Sequence, residues 1–110
     1  MSNLLISALI IIFIFFQSNI VLATTKKDFL TLMGDWESKK TIASEYLKQA
    51  ENAFKEGDEL TGCSFQRKAS LYGIEATKSL ISAMEVNGTK DGLENLEGGL
   101  NKWRELGDFC

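Results

Sequence analysis

The chain has 110 residues, with 12 basic and 15 acidic side chains for a net charge of −3, no histidine, no proline and two cysteines. That length holds one domain at most. The charge balance lacks the basic footprint of a DNA- or RNA-binding protein, and without histidine the commonest general base and metal ligand is missing.

The first segment, MSNLLISALIIIFIFFQSNIVLA, carries no charged side chain and is nearly continuous Leu, Ile and Phe from Leu4 to Phe16. Its apolar run is short beside the roughly 20 residues of a spanning helix. Gln17-Ser18-Asn19 breaks the run, and Val21-Leu22-Ala23 places small or branched residues where a signal peptidase reads. Residues 1–23 are therefore expected to be a signal peptide cleaved after Ala23, leaving a single helical domain over 24–110 that is periplasmic or secreted. The basic residues Lys26 and Lys27 follow the apolar run instead of preceding it. An uncleaved leader would thus be a membrane anchor with the rest of the chain in the cytoplasm.

The pattern then predicts three stretches of helix. Phe29, Leu32, Trp36, Ala43, Tyr46, Ala50 and Ala53 recur at steps of three and four, giving a helix over about 27–56 with Thr25 and Asp28 as its cap and Gly57-Asp58 as its end. Gly34, Lys39 and Lys40 interrupt the stripe, so a break there would make four helices instead of three. Phe65, Ala69, Tyr72, Ala76, Leu80 and Ala83 carry a second helix over 64–87, whose small residues and Gly73 let a neighbour approach closely. A second strip of Leu71, Ile74 and Ile81 marks it as the central element, touched on two sides. Asn87-Gly88 supplies a left-handed stop. With Thr89 it also forms a glycosylation sequon, which the stop already explains. A third helix over 91–106 is expected from an Asp91/Glu94 capping box and the stripe Leu93, Leu96, Leu100, Trp103, Leu106.

The two cysteines close this all-α antiparallel bundle. A second helix of about 36 Å and a return of about 24 Å leave a gap that four extended residues, reaching about 13 Å, can span. Gly107 to Cys110 therefore bring Cys110 back to Cys63 as a disulfide. In the chain-entropy model such a closure is worth about 4 kcal/mol. Two thiols alone make a poor zinc site, so neither metal nor cofactor is expected.

No catalytic constellation emerges. Gly98-Gly99 lies inside a helical period without the strand a nucleotide loop requires. The acidic positions Asp58, Glu59, Asp91, Glu94 and Glu97 read as solvated helix ends. The expected function is non-enzymatic: protein binding outside the cytoplasm, as an adaptor or as an inhibitor of the kind bacterial immunity proteins exemplify, a likeness of size and class only. The alternatives are a carrier of a small apolar ligand and an acid-stress chaperone. Trp36, Lys39 and Lys40 are the candidate partner contacts, although the tryptophans also fit the core and paired lysines a solvated face. Aromatic residues in surplus over a small core point to a homodimer.

Overall fold

The computed structural model of the chain describes the backbone of residues 2–110 and the side chains of residues 26–110. The expected leader 1–23, with its cleavage after Ala23, and the Thr25 cap fall where side chains are not described. The fold is all-α, with three helices: α1 over Ser2–Lys55, α2 over Glu59–Val86 and α3 over Leu93–Asp108. No helix among the described residues is long and apolar enough to cross a membrane.

The first helix runs unbroken through Gly34, Lys39 and Lys40. Charge enters the stripe there because it is used. Lys39 Nζ lies 3.1 Å from Asp35 one turn back and 3.5 Å from Glu75 on α2, and Ser79 donates its hydroxyl hydrogen bond to Asp35 from the same helix. Lys40 pairs with Glu37 at 3.6 Å and sits 4.1 Å from the centre of the Trp36 ring. The Lys39–Glu75 and Ser79–Asp35 contacts tie α1 to α2 where the apolar stripe is weakest.

Both helix ends use the same device. Gly57 adopts φ +81°, its amide bonds Phe54 O, and the next amide, Asp58, reaches back to Ala53 O at 2.9 Å. Gly88 repeats this at φ +72°, with Thr89 bonded to Met84 O at 2.9 Å. Each glycine takes the left-handed turn that lets the last carbonyls of a helix find donors. Asp58 then caps α2, accepting from the Thr61 amide at 3.1 Å. As a result α2 begins at Glu59, five residues before its expected start at 64, and Cys63 lies in its second turn. The Asp91/Glu94 capping box does not form. Gly92 is the cap residue at φ +87°, with no side-chain bond, and this moves Asp91 outside the helix, beyond reach of the first free amides.

The core is made of small residues. Ala43, Ala50 and Ala53 of α1 are buried with Ala69, Ala76 and Ala83 of α2. The spacing of seven in 43/50 and 69/76/83 keeps these methyls on one seam of two coiled helices and lets the backbones come close. Gly62 continues the α2 series, and a Cβ there would strike the Phe54 ring at 2.7 Å. Tyr46 extends the seam by stacking on Phe65 at 6.0 Å and on Tyr72 at 5.8 Å. The third helix packs its backbone on α2: among the described residues no Cα of α1 comes within 8 Å of one of α3, and α3 buries no residue completely. The arrangement is thus a row with α2 in the middle, not three helices around one core. In the strip Leu71, Ile74, Ile81, Leu71 is 63% exposed and the two isoleucines are half-buried.

Candidate functional site

The face that α2 turns to α3 is polar and small: Gln66, Ser70, Gly73 and Thr77, all buried. Gln66 donates from Nε2 to the Leu106 carbonyl at 2.8 Å, and Ser70 donates from Oγ to the Trp103 carbonyl at 2.6 Å. Thr77 satisfies its hydroxyl on the Gly73 carbonyl within its own helix, at 2.8 Å. The Trp103 ring covers Gly73 so closely that a Cβ there would overlap it, and a Cβ on Gly107 would meet Ser70 Oγ at 2.6 Å. Side-chain donors reaching backbone carbonyls require α3 to lie near the α2 surface, and the two glycines make the room.

Because the backbones of α1 and α3 stand on either side of α2 without meeting, a trench runs between them. One section, of 410 Å³, is lined by Leu47 of α1 and by Gly99, Lys102, Trp103 and Leu106 of α3. The next, also of 410 Å³, is lined by Leu47, Ala50, Glu51, Phe54 and Lys55 of α1, with Gln66 as floor. Leu47 borders both sections, and the Gln66–Leu106 hydrogen bond joins them. The interior is apolar, and its charged groups sit at the rim. Glu51 and Lys55 neutralise one another at 3.1 Å, and Lys102 stands on the opposite edge. Gly99, with nothing within 4 Å of its missing Cβ, leaves the α3 wall low at one end. A further cleft, of 470 Å³, is lined by Arg67, Leu71, Ile74 and Arg104 among others.

The predicted cysteine pair is in place: Cys63 and Cys110 form a disulfide with Cα atoms 5.5 Å apart. Arg67 Nη2 donates to the Cys110 carbonyl beside it at 2.9 Å. Leu60, 89% exposed, and Phe109, 87% exposed, flank the bond. Trp36, Lys39 and Lys40 lie within two turns of α1 and away from the trench, eleven α1 residues or about 16 Å separating Trp36 from Leu47. The ammonium of Lys39 is engaged between Asp35 and Glu75, which pulls its pKa above the ordinary 10.5, chiefly through Asp35. The Ser79 hydroxyl and then Lys39 hold the Asp35 carboxyl below its usual 3.8. Thr61 lowers Asp58 in the same way.

Sequence reasoning missed Gln66 and Ser70, although with Gly73 and Thr77 they form a visible face at steps of four, three and four. A polar face at helical spacing carries no hydrophobic periodicity to mark it. Among the described residues no group of three His, Cys, Asp or Glu side chains could hold a metal ion.

No protein-family model, curated protein or solved structure matches the chain.

Proposed function

We propose that this chain is a small exported binding module whose trench receives an amphipathic helix of a partner protein. The observation that carries the reading is the apolar trench between α1 and α3. In the section that both helices line, the α3 wall runs over eight residues from Gly99 to Leu106, about 10 Å, and faces Leu47 of α1. Two turns of a guest helix fit that length, with apolar anchors at i, i+3 or i+4, and i+7. Lys102 at the rim favours an acidic residue on the guest's edge. Export is supported by the apolar leader and by a disulfide, which persists in oxidising compartments.

The carrier alternative is less well supported, because both trench sections are open clefts, whereas small-ligand sites bury most of their ligand. An acid-triggered chaperone needs groups that titrate as the medium acidifies, and without histidine none is ordinarily placed between about pH 5 and 8.

The test is affinity capture from extracellular or periplasmic extract with the wild-type chain and with Leu47→Glu. One stoichiometric protein, held by the wild type and released by the variant, supports the proposal. Capture insensitive to Leu47→Glu, or lipid as the only bound species, would refute it.

A further inference from the structure

We propose that the Cys63–Cys110 disulfide is a redox gate for the trench: when a dithiol reduces it, α3 comes away from α2 about the 87–92 loop, and the trench loses a wall. The consequence for binding rests on the trench being the site, but the movement of α3 stands on three observations of its own.

The first is that the three helices are held unequally. Six buried alanines, the Tyr46 stack and the Ser79–Asp35 and Lys39–Glu75 links join α1 to α2. The third helix buries no residue completely and meets α2 on a polar face. Gln66 and Ser70, which hold two of its carbonyls, exchange those partners for water with little net loss when α3 departs. The same exchange is closed to the methyls of the α1–α2 seam, which would be left exposed to water.

The second is the loop at the far end of α3. Gly88 and Gly92 both have positive φ, and a Cβ added to either meets nothing within 4 Å. The loop therefore has permissive backbone at two points, one at each end.

The third is where the bond acts. Gly99, Trp103 and Leu106, the trench wall, lie between the hinge and Cys110, toward the end that the disulfide holds. Swinging α3 about Gly92 therefore moves the wall most. The bond is also accessible: both cysteines are only half-buried, and the exposed Leu60 and Phe109 beside them present an apolar landing surface.

The step is an ordinary exchange. A thiolate of the dithiol attacks one sulfur to give a mixed disulfide, and its second thiol then displaces the protein thiol. Cys63 and Cys110 leave as two thiols, and the reductant as its cyclic disulfide, two electrons and two protons having passed to the protein.

The test compares purified protein, disulfide intact, with the same protein after dithiothreitol. The chain has two tryptophans, so a nitrogen-15 spectrum shows two indole signals, assigned with Trp36→Phe. On reduction the Trp103 signal is expected to move to the position of a solvated indole. Amides of α3 should exchange roughly tenfold faster or more, while the Trp36 signal and the α1 and α2 amides stay as they were. Cys110→Ser should reproduce the reduced spectrum without reductant. An unchanged Trp103 signal with α3 still protected would overturn the proposal. Loss of protection in all three helices together would also overturn it, since the bond would then be a staple of the whole fold. A partner that fails to bind the oxidised chain would refute the trench reading and leave these signals untouched, so the two failures are separable.

Discussion

Gly73 is the residue on which the α2–α3 contact turns, because the Trp103 ring occupies the space a side chain would need. Gly73→Ala is expected to displace the indole and to cost about 1–3 kcal/mol, the usual penalty of overpacking. Denaturant titration and a red-shifted Trp103 emission would check both effects. Ser70→Ala removes the donor to the Trp103 carbonyl and should cost about 1 kcal/mol by the same measurement. At the other face, the pH response of Asp35 and Lys39 has a definite sign. The folded carboxyl of Asp35 titrates below its ordinary 3.8, so its stabilisation is present above that value and is lost as pH falls through the lowered one. Lys39 titrates above its ordinary 10.5, so its contribution is complete below that value and disappears as pH rises through the raised one. The bridge is therefore intact across the neutral range. Thermal melts of Asp35→Asn should show a smaller fall in melting temperature below about pH 4 than the wild type shows, with parallel curves between about pH 5 and 9.

For single elements, legibility depended on whether the signal was local. Gly57 and Gly88 announce their turns because only glycine takes that backbone easily, and both helices end where these residues stand. The start of α2 was harder to place. Asp58 stands beside the end of one helix in the sequence and is the cap of the next, since a three-residue connection lets one polar residue serve the second helix directly after the first. Similarly, Lys39 looks like a breaker from its own strand of sequence and becomes a cross-link once Glu75 is opposite it. The alanine seam gives a sharp expectation. Ala76→Leu should force α1 and α2 apart and cost about 1–3 kcal/mol, because closely approaching backbones leave no room for a larger side chain. A lowered denaturation midpoint at unchanged m-value would check it.

Over the whole molecule, the disulfide acts mainly on the third helix. Cys63→Ser, Cys110→Ser and the double variant are each expected to lose the same amount, about 2–4 kcal/mol, from the step in which α3 detaches, because removing one partner already removes the bond. Circular dichroism at low temperature should stay largely helical, since α1 and α2 carry most of the helix. The sequence by itself determined the all-α class, the three stripes, the two glycine stops and the partner of each cysteine, because periodicity, backbone preference and an even cysteine count act within a segment or leave a single solution. Tertiary structure alone decided that α1 and α3 stand apart. A helical stripe records that a face is covered without recording by what, and the polar donors of Gln66 and Ser70 take their meaning from carbonyls forty and thirty-three residues away. The trench exists only because of that separation, which no single segment encodes.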